Sequence, residues 1–410
     1  MPIHGNHHPL VKLSPEEAAL LARVQTLVAE KIGPDADRVG REDVFAWETF
    51  RLLCKEGIVA TAFPREYGGS SACMLLRVRI IEELATVCMA SASMITGTDL
   101  SSRPIVAGAS EALKRELISD LASGARQSAF ALTEPGAGSD VARLAAHYAP
   151  SPQGGWILNG QKKFITRANV ADMFVVAARQ EGGPAGAKGL SAFVVPRNAK
   201  GITVSPLIPK LGAYGVPIAM VTFQDVHIPQ EHLLGQEGQG MALAQDTLLR
   251  ARIGHAAMAL GRASGALRIA AQYANQRQVF GRAVGEHQGI QWMVAEMAAQ
   301  IEAARCLVYT TALRYEAGEK DVSVHASIAK MHTTDLCMKV VLDCLQLLGG
   351  NGYLKAFPME RLLRDAKLNQ IGEGTSEVHK TLIGRHVLRL AGELPQHPCL
   401  DMEPELYCHE

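Results

Sequence analysis

This chain carries nothing in excess that would announce a partner. Across 410 residues, 41 Lys and Arg balance 41 Asp and Glu, so no global field draws in nucleic acid or an anionic membrane surface. The 8 cysteines, at positions 54, 73, 88, 306, 337, 344, 399 and 408, form no CxxC pair and no dense spacing. A disulfide framework and a structural zinc site are therefore unsupported, and a reducing, cytoplasmic setting is expected. The opening MPIHGNHHPLVKL lacks the charged region and apolar core of a signal peptide, and no apolar run approaches a membrane span. GxSxG, Walker A and basic-aromatic patterns are missing, which sets aside hydrolase, NTPase and nucleic-acid readings. His255, His287, His325, His332 and His379 show no HExxH or related ligand spacing, and His4, His7 and His8 fall in a terminal stretch. No metal site is assigned.

What the chain does have is a change of pattern, twice. From Leu13, LSPEEAALLARVQTLVAEKIGP reads as a helix, with Ser14 as N-cap, Pro15 at the first helical position, Glu17 completing a capping box, and Gly33 and Pro34 as the stop. Helical patterns recur around 43–57, 77–94 and 111–123. From Ser128 short β-rich runs take over, SAFALT, WILNG, KKFIT, MFVVAAR, LSAFVVP, ITVSPLI and IAMVTFQDVHIP, split by Gly, Pro and Asn. With no useful helix between them, they predict a compact antiparallel β domain, not a nucleotide-binding parallel sheet. Beyond LLGQEGQG at 233–240, long helices are expected around 240–275, 286–317, 322–348 and 375–391, an up-and-down four-helix bundle. A helical stripe of Val324, Ile328, Met331, Met338, Leu342 and Leu345 is interrupted by Asp335. The expected class is α+β: an all-helical unit over 1–128, a β domain over 129–238, a helical bundle over 239–395, and a mobile tail over 396–410.

Three clusters could carry chemistry. In AFALTEPGAGSD (129–140), Gly136 and Gly138 let backbone N–H groups approach a ligand, while Thr133 and Ser139 supply hydroxyls. A phosphate or pyrophosphate suits it, although a tight turn alone accounts for the same residues. The Rossmann fingerprint fails because position 141 is Val and no βαβ unit surrounds it. In QRQVFGRAVGEHQ (276–288), Arg277 offers a fixed positive fork, Phe280 an apolar wall and Gln288 an amide; a solvated arginine at a helix end is the plain alternative. In the third, QLLGGNGY (346–353) precedes FPMERLLRDAKLNQIGEGTSEVHK (357–380), which places Glu373 between glycines at the start of a helix. On helix physics alone, an acid there is stabilised by the dipole and needs no further role.

Taken in order, PREYGG (64–69), ALTEPGAGSD (131–140), NGQKKFIT (159–166), RQVFG (277–281), LLGGNGY (347–353) and IGEGTSEV (371–378) resemble the acyl-CoA dehydrogenase family, from about residue 13 to about 391. The resemblance implies non-covalent FAD, with Phe130, Leu132, Thr133, Gly138, Phe164 and Thr166 on the flavin side and Ser139 touching both flavin and pantetheine. It implies that Arg277, Phe280, Gln288 and Gln346 to Gly350, with Gly349 among them, complete the cofactor site of a neighbouring subunit, so a dimer or tetramer is expected. Thr375 and Glu377 would close over the dinucleotide. Glu373 would be the base that takes the α proton of an acyl-CoA while FAD accepts the β hydrogen, giving a trans-2-enoyl thioester. Arg252 and Gly374 fall on the substrate side, and electron-transfer flavoprotein is the implied acceptor, in fatty acid or amino acid catabolism.

Some family members place the base one residue before the arginine matching Arg252; here that residue is Ala251, which cannot take a proton. Phe164 stands where Trp is frequent, keeping an aromatic wall. Gly372 stands where Tyr is frequent, which predicts a wider cavity or a more mobile base. Leu249, Tyr214 and Pro217 depart from common residues near the thioester path, leaving an acyl-carrier-protein thioester open as substrate. Flavin monooxygenases and oxidases share the fold; there the glutamate is characteristically missing or changed. A non-catalytic flavin-binding protein is the remaining alternative.

Overall fold

The computed structural model describes residues 13–394. His4, His7, His8, Cys399, Cys408 and the tail expected over 396–410 lie outside them.

The capping box forms as its residues require. Ser14 Oγ accepts from Glu17 N at 3.2 Å, and Ser14 N donates to Glu17 Oε2 at 2.9 Å, starting α1 (Pro15–Leu27). The expected stop at Gly33 and Pro34 does not occur. A π-helical turn over Val28–Ile32 leads directly into α2 (Gly33–Val39). Pro34 has no N–H to give, and the wider turn lets the chain pass its ring without ending the helix. After α3 (Trp47–Lys55), the pattern expected as one helix over 77–94 is two, α4 (Met74–Ala85) and α5 (Met89–Gly108). The break comes at Thr86, Val87 and Cys88, where Thr86 Oγ1 donates to Glu83 O at 2.6 Å and competes with the ladder. Helix α6 (Glu111–Ser123) completes this unit.

The β domain comprises β1 (Ser128–Ala131), β2 (His147–Pro150), β3 (Trp156–Thr166), β4 (Met173–Gln180), β5 (Leu190–Pro196), β6 (Ile202–Val204), β7 (Ile218–Ile228) and β8 (Leu233–Leu234). The order is β6-β7-β3-β2-β4-β5-β8, with β1 also on β4. Most pairs are antiparallel as expected, but β1 and β2 both run parallel to β4, end to end along one edge of it. The β2–β3 hairpin lies between β1 and β4 in sequence, and crossing over it brings the chain back in the same direction. Strand alternation splits β4 between two cores. Phe174, Val176 and Ala178 face the sheet's own interior, where Phe174 and Phe223 rings lie 6.1 Å apart. Met173 and Val175 face the helices.

Beyond the sheet come α7 (Gly240–Gln276), α8 (Gln288–Glu316), α9 (Val322–Leu347), α10 (Met359–Ile371) and α11 (Ser376–Gly392). The four long helices match expectation, and α10 is additional. Its buried side includes Arg361, Asp365 and Asn369 beside Met359, Leu362 and Ala366, so polar residues hide its apolar stripe. Helix α7 runs through the middle of the molecule, packing on α4, α5, α8, α9 and α10.

Candidate active site

One half of the site is an open cradle where β1 ends beside β3. Glu134, 5 % exposed, organises it from below. Its carboxylate accepts from Ala145 N at 2.6 Å, Ala146 N at 3.0 Å and Lys162 Nζ at 2.7 Å. Lys162 is fully buried and also donates to Leu132 O at 3.0 Å. Burial lowers the Lys162 amine to about 8 against the pull of Glu134. With Lys163 N donating to Thr133 O at 2.8 Å, these bonds tie the end of β1 to β3. The turn above is left open: a side chain at Gly136 or Gly138 would meet nothing within 4 Å.

A register shift between Lys162 and Ile165 bulges β3 at this level. There Phe164 takes φ +60° and stands 52 % exposed, since bulges re-aim side chains at sheet edges. Phe130 and Leu132 pack with Ala137 of the turn, and the Lys163 N to Thr133 O bond sets Thr133 beside the strand that carries Phe164 and Thr166. An aromatic wall with an unfilled glycine turn fits a flavin dinucleotide.

The other half is the loop between α10 and α11. Glu373 was expected at the start of a helix; it lies instead before the helix, at φ +56°, followed by Gly374 at φ +97°. Thr375 caps α11, accepting from Val378 N at 3.3 Å. Helix α9 clamps both flanks of the loop. Asp335 Oδ1 accepts from Gln370 Nε2 at 2.7 Å and Ser376 Oγ at 2.9 Å, while Lys330 Nζ donates to Gly374 O. The Asp335 that interrupts the apolar stripe of α9 is therefore an anchor for the loop carrying the carboxylate.

The Glu373 side chain is only 17 % exposed. Burial raises its pKa above the ordinary carboxylate range, opposed by the charges of Lys330 and Arg252. Burial in turn lowers the Lys330 amine to about 8 and lowers Arg252, whose Nε is buried without a partner. His255 Nε2 lies 4.0 Å from Glu373 Oε1, and burial with nearby cations pushes its imidazole down to about 3. The His379 ring lies beside Gly374 and is likewise lowered, to about 4.

The remaining residues singled out in sequence form a separate exposed group. Between α7 and α8 a two-stranded hairpin, β9 (Gln278–Val279) and β10 (Arg282–Ala283), turns at Phe280 and Gly281, both with positive φ. Phe280 is 96 % exposed, and Arg277, Gln288, Gln346, Gly349 and Gly350 are exposed with it. Asn351 Nδ2 donates to Tyr273 OH at 2.9 Å, tying the Gly349–Tyr353 turn to the end of α7. Thr375 is half-buried and Glu377 exposed on the first turn of α11.

Sequence reasoning missed His255, Lys330, Asp335 and the Glu134–Lys162 pair. The histidines show no metal spacing, and Lys330, Asp335 and the Glu134–Lys162 pair act on residues that only the fold brings near. A Cβ at Gly372 would stand 3.5 Å from His255 Cε1, so an imidazole from α7 borders the space that this glycine leaves. Among the described residues no group of three or more His, Cys, Asp or Glu could hold a metal ion, and no helix is long and apolar enough to cross a membrane.

Helices, sheet and helices, with an aromatic-walled glycine turn and a buried carboxylate raised in pKa, define a flavin-dependent oxidoreductase. Family models narrow that class: "Acyl-CoA dehydrogenase, N-terminal domain" matches residues 14–125, the middle domain 129–226 and the C-terminal domain 238–388. The chain is 37 % identical over 374 residues to an acyl-CoA dehydrogenase of Bacillus subtilis, covering 91 % of this chain and 98 % of that one. It is 36 % identical over 384 residues to the short-chain specific acyl-CoA dehydrogenase of Clostridium acetobutylicum, covering 92 % and 99 %. The structure of butyryl-CoA dehydrogenase from Megasphaera elsdenii superposes with a TM-score of 0.89 at 34 % identity, covering 92 % and 100 %. The chain belongs to the acyl-CoA dehydrogenase family. It is an oxidoreductase acting on acyl-CoA, with FAD as cofactor.

Proposed function

We propose that Glu373 is the base that removes the α proton of a saturated acyl-CoA, giving a trans-2-enoyl-CoA. The observation that carries this is a single one: a carboxylate nearly out of solvent, raised in pKa by burial, and held at a fixed place by the Asp335 and Lys330 contacts. A base whose proton affinity is raised lies closer to the demand of a carbon acid. Bound FAD supplies the two-electron acceptor for the β hydrogen. Glu373 N–H would donate to the thioester carbonyl, which stabilises charge developing there. The charge of Arg252 opposes the raising of the Glu373 pKa by burial, Gly374 admits substrate beside the loop, and Ala251 leaves no acid at the position just before Arg252.

Phe130, Leu132, Thr133, Gly138, Ser139, Phe164 and Thr166 would hold the flavin, with Ser139 also at the pantetheine and Thr375 and Glu377 closing over the dinucleotide. The exposed group at Arg277, Phe280, Gln288, Gln346, Gly349 and Gly350 would complete the FAD site of a neighbouring copy in a dimer or tetramer. Exposure of Phe280, Tyr353 (86 %), Leu388 (74 %) and Trp292 (62 %) supports such an assembly. The units divide near residues 128 and 238. Electrons leave to electron-transfer flavoprotein, in cytoplasmic fatty acid or amino acid catabolism. An intact Glu373 weighs against oxygenase chemistry.

Anaerobic titration of the flavin with saturated acyl-CoA and acyl-carrier-protein thioesters tests the reading. Bleaching by an acyl-CoA, with a trans-2-enoyl-CoA recovered, is expected. A flavin that bleaches only with carrier-protein thioesters would overturn the choice of CoA.

A further inference from the structure

The contacts behind Glu373 fix which nitrogen of His255 carries its proton. Arg262 is fully buried, and its guanidinium can only donate. Its Nη1 donates to Asn369 Oδ1. Asn369 is fully buried as well, so satisfying Oδ1 in this way turns its Nδ2 to the opposite side. There Nδ2, which can only donate, lies 3.3 Å from His255 Nδ1. Nδ1 must then present its lone pair, and in a neutral ring the proton sits on Nε2. That Nε2 is the atom 4.0 Å from Glu373 Oε1.

From this geometry, and resting on the reading of Glu373 as base, we propose that His255 is a positioning residue that donates its Nε2–H to the Glu373 carboxylate. The separation of 4.0 Å is longer than a hydrogen bond, so the donation requires a turn of the Glu373 side chain toward the ring. Holding Oε1 leaves Oε2 to take the substrate proton. The contact is not an ion pair, because burial together with Lys330, Arg262 and His379 keeps the imidazole neutral at working pH. Gly372 borders the ring, since a Cβ there would stand 3.5 Å from His255 Cε1. An N–H donated to the ionised carboxylate favours that form, and so opposes the raising effect of burial.

The groups facing Glu373 are Arg252 and His255 from α7, Lys330 from α9 and His379 from α11. Lys330, lowered to about 8, contributes its own titration, which is common to every His255 variant and cancels between them.

The test compares His255→Leu, which removes the donor, with His255→Gln, whose amide can replace it, in FAD-loaded protein. The acidic limb of the rate of flavin bleaching by acyl-CoA should move up by about one pH unit in the Leu variant, the size of one ordinary hydrogen bond. It should return most of the way in the Gln variant, with KM changed less than kcat. A second readout does not involve turnover: protein carrying ¹³C-carboxyl glutamate, with Glu373 assigned by its loss in Glu373→Gln, should show the same rise in the Glu373 titration. If neither variant folds, ¹⁵N spectra of the wild-type ring decide, since the Nε2–H tautomer is required. An unmoved limb and carboxyl titration in His255→Leu, or an Nδ1–H ring, overturns the inference. Failure of the base reading looks different: Glu373→Gln would keep its turnover, while the carboxyl titration would still report on the His255 contact.

Discussion

The two halves of this site are held by opposite means. The cradle is a matter of strands: one buried ion pair, Glu134 with Lys162, locks the end of β1 to β3 and leaves a glycine turn standing open. The proposed base, Glu373, sits on a loop with positive φ at two successive residues, and side chains of a third helix hold both of its flanks. The first arrangement fixes backbone before any ligand arrives. The second fixes one carboxylate by contacts that can each be removed without unfolding the helices around it.

Substitutions should therefore separate the halves. The largest effect is expected at Glu134. Glu134→Ala leaves the Lys162 amine buried without its counter-charge, a loss of about 3–5 kcal/mol, read as a lower temperature of flavin release and a lower FAD content on purification. Replacing both Glu134 and Lys162 by Met should cost less than Glu134→Ala alone, because no unpaired charge remains. On the base side, Asp335→Ala removes two hydrogen bonds from the loop but none from the cradle. It should keep FAD and lower kcat about tenfold, the effect of roughly 1.4 kcal/mol of lost positioning, in stopped-flow reduction with acyl-CoA. The smallest effect is expected at the hairpin. Phe280→Ala removes an exposed ring from the expected partner contact and should weaken FAD retention a few-fold on dilution, on the order of 1 kcal/mol, with unfolding of the separate chain unchanged.

The pH dependence sharpens the same contrast. As the proposed base, Glu373 must be ionised to act, and its pKa is raised by burial, so flavin reduction should rise with pH along a limb lying above the ordinary carboxylate range. Activity present above that limb is lost as pH falls through it. A limb at the value of a solvated glutamate would mean that the loop opens to water before the chemistry.

Local rules made much of this legible in the sequence. The Ser14–Glu17 capping box and the long helices from 240 onward depend on near neighbours, and the sequence reading places them to within a few residues. Where contacts come from far along the chain, it fails. Pro34 lies inside a continuous helical run because a π turn precedes it. Helix α10 hides because its buried side carries Arg361, Asp365 and Asn369, whose partners lie on other elements. Glu373, the glycine turn and the stretches holding Glu134 and Lys162 stand out by motif, whereas the pairing of those two and the anchoring of the Glu373 loop do not. Lys162 is 28 positions from Glu134, and Asp335 is 41 positions from Ser376. Asp335 left the one readable trace, an acid inside an apolar stripe.

The proposed removal of the α proton by Glu373 can be tested apart from the rest of the reaction. An acyl-CoA with sulfur in place of the β carbon cannot be dehydrogenated, yet keeps an acidic α hydrogen, so incubation in D₂O reports the base alone. The wild-type protein should exchange that hydrogen for deuterium, and Glu373→Gln, still carrying FAD, should slow the exchange by about 10²–10⁴-fold. Exchange at an unchanged rate in Glu373→Gln would place the base elsewhere and contradict the account.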